Sequence, residues 1–293
     1  MSDFFVLHDE FKEEIALMKG GILFVQSSYK GISLLREAKI QAKTPWPPEI
    51  IALVDSLAIP NRKTENLTYD GVVVLLAAMY ETFVRDTIEA VCREIETRIP
   101  KFDELNEKIK SANARATGHV LSKQSCKRYS QFNYLDLSKC LGTCFPGSVK
   151  YQLNSGPLSI HERNLNSTEL VELFKRIGME DLWGSIGGSA PIQSHFAITD
   201  SILAKKNAIA TLDEFILLRN RVAHSGGRGS SIGPDALVQW LEFFLAVTES
   251  LAVVVSEYCS NLLPVLSSTS GTTSVTTILT APASLPPSSS SSP

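Results

Sequence analysis

The sequence is short of positive charge: 28 lysines and arginines stand against 31 aspartates and glutamates, a formal net charge of −3. That balance excludes a broadly basic nucleic-acid coat, so any contact with a phosphate backbone has to come from a local patch. Cysteine is sparse, odd in number and scattered, at Cys92, Cys126, Cys140, Cys144 and Cys259. No secretory signal accompanies these residues, so reduced thiols in a cytoplasmic protein are the expectation. The longest apolar run, Gly71 to Tyr80, is about half of what a bilayer span needs, and no membrane helix is expected from it. Cys140 and Cys144 find no histidine at metal-ligand spacing, since His119 and His161 both stand too far off in sequence, so neither a metal nor a cofactor is expected. The glycines Gly184, Gly187 and Gly188, with Pro191, lie in a stretch from Trp183 to Phe196 that lacks the lysine and the strand-to-helix setting of a phosphate loop. It reads as a loop able to cover a site. No internal repeat is present.

What is present is helical periodicity in a chain of 293 residues, 44% hydrophobic and 20% charged, enough to bury a large core. Apolar residues from Phe11 to Leu35 keep helical spacing over Asp9 to Ala42, the first long helix, with Gly20-Gly21 a weak point that leaves it either whole or in two pieces. Pro47 or Pro48 opens a short helix through Leu57, and Asn61 to Asn66 reads as a polar loop. A second long helix runs from Gly71 to Ile99, where Pro100 closes it. Its first half, VVVLLAAMY, is apolar nearly all round and belongs in the middle of a bundle. Glu81 follows directly. Lys101 to Ser122 is helical and turns polar, and Phe145 to Arg163 reads as loop with at most a short hairpin. Asn166-Ser167 caps a helix over Thr168 to Ile177 that Gly178 ends. Thr199 to Ala210 forms another helix, and Pro234 opens the last long one. Beyond Asn261 the chain is rich in serine, threonine and proline, uncharged, and expected to be disordered. The fold class is therefore all-α: one helical domain over 1–260, within which 100–165 is either an insertion or part of the main bundle, and a disordered tail over 261–293.

The stretch that bears on chemistry is Thr211 to Gly227, TLDEFILLRNRVAHSGG. Thr211 with Glu214 three residues on has the form of a capping box and marks a helix start, while His224 and Gly226-Gly227 mark its end. Arg219 lies seven residues after Leu212, on the apolar stripe. A guanidinium cannot shed its charge, so on that stripe it needs a carboxylate, carbonyls or a bound anion. Glu81 is a candidate supporting acid for it. His224 is five positions on, about 140° around an ideal helix, but a long arginine and a residue of the ending turn can still converge. The plainer reading is that Arg219 partners a buried acid and His224 is a helix-end cation. Lys108 to Arg128 carries Lys108, Lys110, Arg115, Lys123, Lys127 and Arg128 without an intervening carboxylate. This is either a solvated face or a track for a phosphate backbone, with Tyr129, Phe132 and Tyr134 beside it for stacking or for the core.

Arg219-Asn220, three residues and His224, at the end of an amphipathic helix and before a last long helix, resembles the RNxxxH signature of the HEPN superfamily. LDEFILLRNRVAHSG is similar to HEPN domains of the RiboL-PSP type, as are LLAAMYETFVRDTI at 75–88 and NLNSTELVELFKRIGM at 164–179. The likeness of layout runs over about residues 5–260. It implies a HEPN-like bundle of long antiparallel helices with inserted loops. It also implies a metal-independent RNA endonuclease of the toxin or phage-defence kind, in which the 2′-hydroxyl attacks the adjacent phosphate and leaves a 2′,3′-cyclic end. On that reading Arg219, Asn220 and His224 are catalytic. The RNA-binding residues would be Arg115, Lys123, Lys127, Arg128, Arg221 and Arg228. A homodimer pairing two such sets is implied, with an antitoxin or effector protein as a possible partner. Two rivals stay open: a catalytically silent HEPN module that binds a nucleotide or nucleic acid, and a helical scaffold or sensor serving another effector.

Overall fold

The computed structural model describes residues 3–42, 44–57, 62–123, 125–224 and 232–262, the side chains of 57 and 62–65 excepted. The expected tail beyond residue 262 and the connection after His224, with Gly226, Gly227 and Arg228, lie outside the described residues. Among those described there are eleven α-helices, two 3-10 turns and no strand.

Helix α1 (Asp3–Gln41) is continuous, not divided at Gly20-Gly21. Each helical glycine costs about 1 kcal/mol relative to alanine, and burial of Met18 and Ile22 on either side offsets that. No α1 residue after Ile22 is buried, so its distal half extends beyond the core. There Lys39 meets Asp55 of α2 (Pro48–Leu57) at 2.8 Å. α3 (Arg62–Arg98) starts earlier than expected and takes in most of the presumed polar loop. Tyr69 and Asp70, both buried, anchor that first part to the core. Val73, Leu76, Ala77 and Tyr80 are buried as expected, but Val74 and Leu75 face outward, so the apolar stretch is not enclosed all round.

A 3-10 turn at Phe102–Glu104 leads to α4 (Glu107–Ser122), where Asn106 caps by accepting from the Lys108 amide. α5 (Tyr134–Leu141) is capped in the same way by Asn133. The presumed loop before Arg163 contains a short α6 (Ser155–Ser159). α7 (Ser167–Arg176) is capped by Asn166 and followed by Gly178 at φ 91°, as the sequence suggested. The glycine-rich stretch after it is not a covering loop but two short packed helices, α8 (Leu182–Gly188) and α9 (Ala190–Phe196). α10 (Ser201–His224) is one helix, capped by Asp200, whose carboxylate accepts from the Ile202 and Leu203 amides. The Thr211/Glu214 pattern therefore falls inside a helix and starts nothing. α11 (Pro234–Ser260) closes the described fold.

α11 packs against α1, α3, α8 and α9, and α10 lies on α3, α8 and α9. Phe244 of α11 joins them: its ring centroid is 4.9 Å from Tyr80 of α3 and 4.6 Å from Phe215 of α10. Glu81 is the next residue after Tyr80, and Arg219 is one turn beyond Phe215, so this aromatic trio sets the orientation of both. By length and apolarity alone α3 from Asn66 and α11 could each cross a bilayer, which the run at 71–80 did not suggest; both direct their apolar faces into the core. Residues of 100–165 enter that same core through Ile109, Ala112, Tyr151, Leu153 and Leu158, with a satellite cluster around Val120, Tyr129 and Leu137.

Candidate active-site cleft

The segment between α6 and α7 forms no helix, and two guanidiniums take up carbonyls along it and at the end of α6. Arg176 Nη1 donates to the carbonyls of Leu158 (3.1 Å) and Ile160 (2.6 Å). Arg128 donates to those of Glu162 (3.1 Å) and His161. Leu165, fully buried, fixes the far end. Asp213 of α10 reaches across to accept from the Ser167 amide (2.9 Å) and hydroxyl (2.8 Å), joining α10 to the start of α7.

A cleft of about 850 Å³ opens between this segment and α10, lined by Glu81, Arg128, His161, Asn164, Asp213, Arg219 and Asn220 among others. Arg219 is half-buried. Its Nη1 donates to Asn164 Oδ1 (3.1 Å) and Asn220 Oδ1 (3.3 Å), and its buried Nε has no acceptor among the described residues. The expected ion pair with Glu81 is not formed: Glu81 Oε2 instead lies 3.8 Å from His161 Nε2. Neutral amides thus hold the arginine in place without cancelling its charge. A buried donor left unmatched costs about 1–3 kcal/mol, so the site favours an acceptor, preferably an anion, at that position.

Asp213, Leu217 and Asn220 line the cleft at i, i+4 and i+7. His224 continues that row one turn further, about 6 Å along the axis. It is exposed, its side chain makes no hydrogen bond to a described residue, and it is not part of the cleft lining. Arg219 and Asn220 are brought together in the cleft, and His224 stands at its rim on the same helical face.

The other sequence candidates scatter. Arg128 lines the cleft but is committed to backbone carbonyls. Arg115 lines a second cleft of about 780 Å³ between α4 and α7, which shares Glu162 and Arg163 with the first. Lys123 meets Glu162 at 3.0 Å, while the exposed Lys127 and Arg221 line neither cleft. Tyr129 is buried, and its hydroxyl donates to Glu162 (2.7 Å), which His119 Nε2 also contacts (2.7 Å). These bonds, first Tyr129 and then His119 and Lys123, hold the Glu162 carboxyl down to about 2. Among the described residues no cluster of histidine, cysteine and carboxylate side chains is arranged to hold a metal. Sequence reasoning missed His161, Asn164 and Asp213 as cleft residues. The polar run His161-Glu162-Arg163-Asn164, directly before a capped helix, was the available signal.

A profile of the RiboL-PSP-HEPN family matches residues 48–257. The chain belongs to this family. The matched region spans α2 to α11 and includes every described residue of the cleft, and the all-α fold is that of a HEPN domain. Comparison with curated proteins and with solved structures returned no match.

Proposed function

We propose that the chain is a metal-independent endoribonuclease, with the cleft beside α10 as its active site. The observation that supports this reading is Arg219: a guanidinium with no carboxylate partner among the described residues and a buried unmatched donor, beside a cavity large enough for a nucleotide. Its fork suits two oxygens of a phosphate and would stabilise the charge that develops on a phosphorane. Asn220, already bonded to that fork, orients it. His224 supplies proton transfer near neutral pH. The RNA 2′-oxygen attacks phosphorus, the bond to the 5′-oxygen breaks, and the products are a 2′,3′-cyclic phosphate and a 5′-hydroxyl. A symmetric homodimer, apposing two α10 ends, would bring the rim histidine of each protomer toward a shared cleft. A cytoplasmic role as a toxin or defence nuclease, restrained by an antitoxin or effector protein, belongs to the same proposal.

A silent nucleotide- or RNA-binding module is the second reading, favoured by the position of His224 outside the cleft lining. The two are separated by incubating purified protein with mixed cellular RNA in excess chelator, beside His224→Ala. Cleavage that persists without metal, leaves cyclic ends and disappears in the variant is expected. Cleavage equal in both, or binding without shortening of the RNA, refutes the nuclease.

A further inference from the structure

Acid–base cleavage of RNA involves two proton transfers, one from the 2′-hydroxyl and one to the departing 5′-oxygen, and α10 offers one histidine. The cleft holds another. His161 is 17% exposed at its side chain and lines the same cavity as Arg219. Its position does not depend on a mobile loop, because Arg176 and Arg128 fix the carbonyls of residues 158 and 160–162 around it. Its Nε2 faces Glu81 Oε2 at 3.8 Å, and Glu81 comes from α3, the central helix. Within the described residues no hydrogen bond engages its Nδ1.

A carboxylate beside one ring nitrogen favours the tautomer that carries the proton there and leaves a lone pair on the other nitrogen. The present 3.8 Å separation is longer than a hydrogen bond, as is common before substrate binds. Glu81 is not needed to neutralise Arg219, which two amides hold, so its carboxylate is available to the ring.

We propose that His161 is the general base of this site and Glu81 its positioning residue, an assignment that rests on the nuclease reading. Nδ1 of His161 takes the 2′-hydroxyl proton as the 2′-oxygen bonds to phosphorus. Arg219 holds the non-bridging oxygens. His224, protonated, gives its proton to the 5′-oxygen as that bond breaks. Exchange with water then returns both rings to their starting states.

The test compares wild type, His161→Ala, His161→Asn, Glu81→Gln and His224→Ala on one RNA across pH 5 to 9, with melting and RNA affinity measured alongside. His161→Ala should lower the rate constant by about 10²-fold or more, with RNA affinity retained, and the acidic limb of the pH–rate profile should disappear. Added imidazole should restore part of that rate. Should His161→Ala fail to fold, His161→Asn, which keeps a polar group against Glu81, should melt like wild type and be equally slow. Glu81→Gln should lower kcat with little change in KM, a split that a purely structural role would not produce. Wild-type rate and profile in the His161 variants, with His224→Ala inactive, overturn this inference and leave the nuclease standing. RNA left intact by wild type, or cut equally by His224→Ala, overturns both.

Discussion

Replacing Arg219 by alanine distinguishes a ligand-directed arginine from one that neutralises a core acid. If Arg219 were bound to a buried carboxylate, truncation would strand that charge and cost about 3–5 kcal/mol. Here the losses are two hydrogen bonds from Nη1, at 3.1 and 3.3 Å, to Asn164 and Asn220, both partly exposed. Water can replace the arginine at those oxygens, so about 1 kcal/mol each is an upper figure. Against this, truncation removes the buried, unmatched Nε, a relief of about 1–3 kcal/mol. The terms nearly cancel. With about 2–4 °C per kcal/mol for a domain of this size, Arg219→Ala should melt within about 4 °C of wild type while losing RNA cleavage. Arg176→Ala is the contrast. Its Nη1 holds two backbone carbonyls in a half-buried setting, and their loss should cost about 2–4 kcal/mol. Both are read by calorimetry at neutral pH. A fall of more than about 8 °C for Arg219→Ala would show that the side chain is structural and not held for a ligand.

Tyr80→Phe should be neutral or stabilising by about 1 kcal/mol, because the buried hydroxyl has no partner among the described residues; a clear loss in denaturant titration would reveal a bond to that oxygen. The Glu162 carboxyl is held at about 2 against an ordinary 4.5, so its contribution to stability is present above about 4.5 and lost as pH falls through about 2. Being exposed, the group contributes less than about 1 kcal/mol after solvent screening. The melting gap between wild type and Glu162→Gln should shrink from pH 7 to pH 3, and a gap that widens on acidification would contradict the sign. Gly187→Ala should destabilise by about 1–3 kcal/mol, since its added Cβ would lie 2.5 Å from the Ser201 carbonyl and 2.7 Å from the Lys205 Cβ. Wild-type melting of this variant would mean that α8 and α10 are less tightly apposed.

How far the sequence foretold the structure depends on the range of the interactions involved. The cap at Asn166, the stop at Gly178 and the start of α11 at Pro234 are local, and each was readable from a few residues. Thr211 with Glu214 misled because a capping box resembles any Thr-x-x-Glu inside a helix; Asp200 had already capped α10. Gly187 suggested a loop, whereas a missing side chain is what lets α8 approach α10 closely. In the candidate site, Arg219 and Asn220 were found from their motif and lie in the cleft. His161 was not, because its meeting with Glu81 joins positions 80 residues apart and follows from the packing of α6 on α3. No local period records that.

The double clasp of Arg128 and Arg176 on the chain between α6 and α7 sets a lifetime for the cleft distinct from that of the whole fold. Two of the anchors of that wall come from α7 and from the turn after α4. Its opening would release His161 from Glu81 while the Tyr80, Phe215 and Phe244 centre stayed intact. Amide exchange at residues 160–164 would then run ahead of exchange in α3 and α11, and loosening this strap would switch the site off without unfolding the protein.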